Sequence, residues 1–231
     1  INNYYKQNPE EAKKEFGDNP YELKNILKYW VRSKNDDLKV IPTDSIVMKV
    51  DKEAVRRSGM MIPGDSIPDY MHISLKGKRA LYKSELMMLE MLAVANWERP
   101  IYMAVSVGTE NHLGMGNHFV QEGLTYRFTP FDTEKTGVKL DSEKMYDNLM
   151  NKFKFGGIDK EGIYIDENAM RMCYSHRRIF SQLIGQLIRE GKTDKAKAAL
   201  EYAEKMIPAY NVPYDWQNGA MQMAEAYYQL G

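Results

Sequence analysis

Four side chains of the kind that hold metals or move protons fall close together in the middle of the chain: Glu110, His112, His118 and Glu122. Carboxylate and imidazole ligands suit zinc. Their spacing does not reproduce a helix-borne motif such as H-E-x-x-H, so a solvated loop is the better reading. Cys173 and His176 stand one helical turn apart. A nucleophilic pair of this type needs an oxyanion hole and a third group to orient the base, and its members normally come from separate segments. Burial as a small hydrophobe is the more common fate of such a cysteine. Gly114-Met115-Gly116 begins like a phosphate-binding turn, but Phe119 occupies the position where the third glycine belongs. It reads as a turn. No metal ion or cofactor is implied by any of these clusters.

Two further groups suggest binding rather than catalysis. In Trp97-Glu98-Arg99-Pro100, Trp97 can stack on a sugar while Arg99 bonds its hydroxyls. The structural alternative, which packing statistics favour, is a fixed connection in which Pro100 restrains Arg99 and one of the charges pairs with a neighbour. Arg171, Arg177 and Arg178 form a basic stripe on a predicted helix, paired with acidic neighbours or water, or less plausibly with an anionic partner. The candidate binding residues are therefore Trp97, Glu98, Arg99, Glu122, Arg127, Arg171 and Arg177.

These residues need a scaffold, and the pattern of the chain predicts one. After a polar lead over residues 1–18, Asn19 is placed to cap a helix with Pro20 at its first position. Leu23, Ile26, Leu27, Trp30 and Val31 share its apolar face. Residues 40–50 hold two β-rich pieces around Pro42, with Ile46, Met48 and Val50 on one side. Asp51 caps a short helix that Gly59 ends. A loop spans Met60 to Pro68, and a short strand is expected from His72 to Leu75. A helix follows over Glu85–Ala95, with Leu86, Leu89 and Met91 or Leu92 facing the core. Ile101–Val107 is expected to be the strongest strand, Gly116–Gln121 a short helix and Leu124–Thr129 another strand. Met145, Leu149 and Phe153 mark a helix that stops at Gly156-Gly157.

The last region is helical. Asp166 caps a long helix that Gly191 breaks; a second runs from Asp194 to Ile207, before Pro208, and a third over about Gln217–Leu230. Phe180, Leu183 and Leu187, then Ala196, Leu200, Ala203 and Pro208, follow the spacing of a tetratricopeptide repeat, with Ile184 where a small residue is preferred. Met223, Ala224 and Tyr227 begin a second repeat, delayed by an insertion over 210–215. Small residues let paired helices approach closely. Repeats of this kind present a surface to a partner.

Composition removes several function classes. Lys+Arg and Asp+Glu number 32 each, so the chain has no long-range field to gather nucleic acid. One cysteine excludes an internal disulfide framework. The longest apolar run, Leu86–Ala95, carries Glu90 and is too short to span a bilayer. The first residue is Ile1 rather than Met, which suggests a chain processed or excised from something longer.

Four separated segments carry a family resemblance: Asn96-Trp97-Glu98-Arg99-Pro100-Ile101-Tyr102, Glu122-Gly123-Leu124-Thr125-Tyr126-Arg127, the run from Met145 to Phe153, and that from Asp166 to Met172. Together, over about Ile41 to the end, they resemble the soluble C-terminal part of large membrane proteins of Gram-negative bacteria described as protein O-mannosyltransferase-like. The resemblance implies a multi-span membrane half that uses a lipid-linked sugar donor and holds the catalytic acid. The present chain would be its periplasmic portion, with no catalytic residue of its own. The expected fold is α+β, a small mixed sheet with packed helices followed by a tetratricopeptide-like helical hairpin region. Its parts are a helical lead at 1–37, an α/β region at 38–165 and the hairpins at 166–231. The expected role is an accessory domain that binds a protein or glycan partner, meeting the membrane only through the absent half. A protein-interaction scaffold unrelated to sugar transfer is the alternative, and an independent hydrolase using Glu98, Glu110 or Glu122 a third reading.

Overall fold

The computed structural model describes residues 7–62 and 66–231. The central portion of the expected Met60–Pro68 loop, at 63–65, lies outside the described residues, as do the first six residues of the lead. By its contacts the chain divides into two units, Ile1–Phe119 with Arg127–Val138, and Val120–Tyr126 with Lys139–Gly231.

The first unit combines short helices with strands. Helix α1, Pro9–Phe16, has Pro in its first turn and buries Phe16. Helix α2 begins at Leu23–Ile26 and continues as a π-helical turn over Leu27–Val31. Leu23, Ile26, Leu27 and Trp30 are buried along one face, as their spacing requires. The start differs from expectation. Asn19 accepts a hydrogen bond from the Tyr21 N–H at 2.8 Å, a local turn that holds the chain out of the helix for three more residues.

Strand β1, Ser45–Lys49, pairs antiparallel with β2, Tyr70–Ser74, in the register Ser45 to Ser74 and Lys49 to Tyr70. Ile46, Met48 and Val50 are buried, and so is Val47, which bridges in parallel to Glu22. The β-rich piece before Pro42 forms no strand. Between the strands, Asp51 accepts from the Ala54 N–H at 3.0 Å and caps α3, Lys52–Arg57. Helix α4, Lys83–Ala95, buries Leu89 and Leu92 but leaves Met91 54% exposed and Leu86 only half-buried. Its sequence is apolar nearly all round, so periodicity does not tell the core face from the outer one.

A second sheet contains β3, Tyr102–Ala104, β4, Phe119–Gln121, and β5, Thr125–Phe128, in the order β3-β5-β4. The fold is thus mixed α+β with two small antiparallel sheets rather than one mixed sheet; isolated bridges supply the parallel pairing seen among the described residues. The expected strand over Ile101–Val107 shrinks to three residues because the chain turns at once, the Val107 N–H donating to the Ala104 carbonyl. The expected helix at Gly116–Gln121 is one 3₁₀ turn, Gly116–His118, running into β4. Helix α5, Thr133–Thr136, is capped by Asp132.

In the second unit, Asp141 caps α6, Ser142–Asp147, which continues as a π-helical turn over Asn148–Lys152 and buries Met145 and Leu149. Helix α7, Glu167–Arg189, starts where Asp166 accepts from the N–H groups of Asn168 and Ala169. It folds back on α8, Thr193–Met206, through a turn at Gly191. Phe180, Leu183, Ile184 and Leu187 meet Ala196, Ala199, Leu200 and Ala203, all buried. Each large apolar side chain buried here contributes about 1.5–3 kcal/mol relative to exposure, and the alanines permit close approach. Helix α9, Ala220–Leu230, packs mainly on α7. It begins at Gly219, where a Cβ would come within 2.9 Å of Ser181 Oγ at a φ of +88°. Of the second-repeat residues, Met223 is buried, whereas Ala224 and Tyr227 are exposed.

Candidate functional site

Trp97 lies inside the first unit, 2% exposed. Its indole stacks on Phe128, centroids 5.4 Å apart and planes 10° from parallel, and its Nε1–H donates to the Lys49 carbonyl at 2.8 Å. Its φ of +66°, next to Asn96 at +44°, is rare for a bulky residue, so packing holds an unfavourable backbone in place. The next two residues are exposed. Glu98 is bonded by Arg57 Nη2 at 2.9 and 3.2 Å, and Arg99 faces solvent. Arg127 is 2% exposed and donates from Nη1 to the Gly59 carbonyl. The tetrapeptide therefore acts as a junction: an indole anchors it and one of its charges is paired.

In the second unit Glu122 is buried and ion-paired with Lys144 at 3.2 Å. Its own carbonyl accepts from Asn148 Nδ2 at 2.8 Å. The three arginines of α7 do not form a stripe. Arg171 is exposed and pairs with Glu167, and Arg178 is exposed. Arg177 is buried, with Nη1 donating to the Pro213 carbonyl at 3.0 Å and Nη2 to those of Ile207 and Val212 at 2.9 and 2.7 Å. Its guanidinium lies 4.6 Å from the Tyr214 ring centroid. Burial lowers the Arg177 pKa from its ordinary value, and the nearby Tyr214, Tyr174, Cys173 and Glu204 oppose this. Burial also pushes Tyr214 up to about 12, helped by its bond to Glu204. Arg177 clamps the α8–α9 connection.

The loop read as solvated is largely buried. His112 and His118 are 5% and 6% exposed, and only Glu110 of the histidine–carboxylate cluster remains outside. Gly114 explains the packing: a Cβ there would come within 2.4 Å of the Ser74 carbonyl oxygen, so the loop lies directly on the end of β2. Among the described residues no group of three histidine, cysteine or acidic side chains has the geometry to hold a metal ion. Cys173 is buried, which pushes its thiol up, away from the thiolate. His176 Nδ1 lies 2.7 Å from the Met172 carbonyl, a bond within its own helix.

Two hollows of the first unit contain residues that sequence reasoning left unused. A cleft of about 430 Å³ is lined by Tyr70, His72, Asn117, His118, Asp132 and Lys135, among others. Burial lowers the His118 pKa, more than the Asp132 charge raises it. Burial acts to raise the Asp132 pKa, but hydrogen bonds from the Asn117 side chain and the Glu134 N–H, with the charges of His118 and Lys135, leave it lowered. The second hollow is a groove of about 780 Å³ between Val31, residues 39–44, residues 78–81, Leu75 and Leu86. That volume is typical of a ligand site. Its sequence signals were faint: Pro42, and the run Lys76-Gly77-Lys78-Arg79 without apolar periodicity.

Residues 2–148 match the family model described as TMEM260-associated domain 2, well over half of the chain. The chain belongs to this family. The match begins earlier than the expected resemblance and stops within the second unit. No curated protein and no solved structure matches the chain. No helix among the described residues of this TMEM260-associated domain is long and apolar enough to cross a membrane.

Proposed function

We propose that this chain is a non-catalytic accessory and recognition domain of a membrane glycosyltransferase-like protein, working on the periplasmic side of the membrane. Membership of the TMEM260-associated family supports a link to a membrane protein. The resemblance of the four segments to protein O-mannosyltransferase-like proteins supports the connection with sugar transfer. One structural observation carries the choice of recognition over chemistry. Of the side chains suited to catalysis, Glu122 is buried and paired with Lys144, Cys173 is buried with its thiol pushed up, and Glu98 is held at the surface by Arg57. The open groove of the first unit offers apolar walls with a charged rim. In this reading the domain holds a partner near the membrane half, which performs the transfer. Deleting the domain from the parent protein should reduce modification of acceptor proteins while leaving the membrane half inserted. Unchanged glycosylation and unchanged enzyme assembly after the deletion would refute the reading.

A further inference from the structure

Strand β2, Tyr70–Ser74, has β1 on one side and, among the described residues, no strand on the other. Two bonds at the ends of the pair fix the direction of every main-chain group in it. The Leu75 N–H donates to the Asp44 carbonyl at 2.7 Å, and the Val50 N–H to that of Asp69 at 2.9 Å. In this register Ile73 and Met71 therefore exchange the ladder bonds with Ile46 and Met48. The N–H and carbonyl groups of Tyr70, His72 and Ser74 point away from β1. The same alternation turns Val47 outward from β1, and its N–H donates to the Tyr21 carbonyl at 3.1 Å. Tyr70 and His72 lack such a neighbour: their main-chain groups bond to no other backbone group among the described residues.

This edge lines the cleft of about 430 Å³. The Gly114 loop closes it at Ser74, whose carbonyl oxygen a Cβ at Gly114 would approach to 2.4 Å. It is open at Tyr70 and His72, both exposed. Asn117, His118, Phe131, Asp132 and Lys135 flank the edge in the same cleft. Lys135 stands 3.8 Å from Asp132, and burial lowers the His118 pKa, so the charges of this flank balance. A strand edge with unpaired donors and acceptors is a template for another extended chain.

Resting on the recognition reading above, we propose that the free edge of β2 binds an uncharged, extended peptide segment of a protein partner as a third strand of the β1–β2 sheet. The N–H and carbonyl groups of Tyr70 and His72 pair with alternate residues of the segment, whose side chains then lie to either side of the sheet. Main-chain pairing supplies the affinity and therefore tolerates many sequences. The balanced flank gives no preference for a charge of either sign. A peptide fits better than a sugar, which offers no repeat of amide donors and acceptors. It also fits better than the β2 of a second copy: that strand carries the same flanking residues, which hold two such edges apart, whereas a single extended segment has no flank.

The test is a titration of the ¹⁵N-labelled 231-residue chain with an acetylated, amidated pentapeptide of alternating threonine and valine. The amides of Tyr70 and His72 should shift and become protected from hydrogen exchange, while those of Met71 and Ile73, already in the ladder, change little. N-methylation of the peptide amides that face β2 should weaken binding at least tenfold, and methylation of the intervening ones should not. His72→Pro removes an outward N–H and spares the ladder with β1; binding should fall at least tenfold in a variant that keeps the native spectrum. Should that variant unfold, the alternation in the methylated peptides decides alone. No response at Tyr70 and His72 to millimolar peptide, methylation without alternation, or unchanged binding by folded His72→Pro overturns the proposal. Shifts at these two amides that follow protein concentration without peptide overturn it in favour of self-pairing, and stronger shifts with methyl glucoside in favour of a sugar. The recognition reading is judged separately, by the deletion experiment.

Discussion

The two units each bury an arginine, and the arginines do different work. In the first unit Arg127 reaches the Gly59 carbonyl, 68 positions away, and Trp97 reaches the Lys49 carbonyl, 48 positions away. Side-chain to backbone bonds of this kind fasten loops and strand ends that have few ladder partners of their own. In the second unit Arg177 gathers three carbonyls from one connection, between α8 and α9, while the helices are held by ridges of Leu, Phe and Ala. The helical unit therefore depends on periodic packing plus one clamp, whereas the α+β unit depends on several separate long-range ties. The groove of the first unit is lined mostly by irregular segments, residues 39–44 and 78–81.

The largest expected effect tests the ties of the first unit. Trp97→Ala removes the stack on Phe128 and the bond to Lys49 and should cost about 3–5 kcal/mol, read by urea unfolding. Trp97→Phe keeps most of the packing and should cost clearly less, which separates ring burial from the hydrogen bond. Next, Arg177→Met should cost about 3 kcal/mol, because three carbonyls lose a charged donor while the apolar stem is replaced. Hydrogen exchange should then accelerate at the last turn of α8 and the first of α9. If Arg177→Met leaves exchange in α8 and α9 untouched, the contrast between ties and clamp fails.

A smaller effect belongs to the cap of the long helix. Asp166→Ala leaves the N–H groups of Asn168 and Ala169 without their acceptor and should cost about 1 kcal/mol, seen as a lower Tm and fraying of the first turn of α7. The cleft of the first unit adds a slope with pH. The His118 pKa is depressed in the folded protein, so the unfolded chain binds the extra proton first as pH falls. The stability from neutral, buried His118 is complete above its ordinary pKa of 6.5 and is lost as pH drops through the lowered folded value. Thermal unfolding from pH 7.5 downward should show Tm declining below pH 6.5, with a flatter profile in His118→Gln. An unchanged profile in that variant would assign the slope to other groups.

These contrasts also account for what could be read from residue order. The cap at Asp166, the break at Gly191 and the buried ridge of Phe180, Leu183 and Leu187 are local signals, and local signals determine helices. Arg177 looked like part of a basic stripe because its acceptors lie 30 or more residues further along, where no helical period connects them. Residue order leaves Trp97 open to a ligand-stacking reading beside the favoured packed one, because its partner, Phe128, belongs to a strand whose pairing is non-local. The run Ile101–Val107 has strong β propensity, yet β3 lies at a sheet edge beside the four-residue β5, so the available partner limits its length. The groove was hardest to foresee, since two irregular segments about 40 positions apart form it.

The proposed recognition role requires that none of the three carboxylates suggestive of chemistry, buried Glu122 and exposed Glu98 and Glu110, takes part in sugar transfer. The most direct test is sugar transfer by the parent membrane protein of the proposed reading, carrying Glu98→Gln, Glu110→Gln and Glu122→Gln together, with circular dichroism confirming the fold. The account predicts that transfer stays within about twofold of the unaltered protein, well short of the tenfold that loss of one catalytic interaction of about 1.4 kcal/mol would give. Transfer abolished in a folded triple variant would contradict it and place catalysis in this chain.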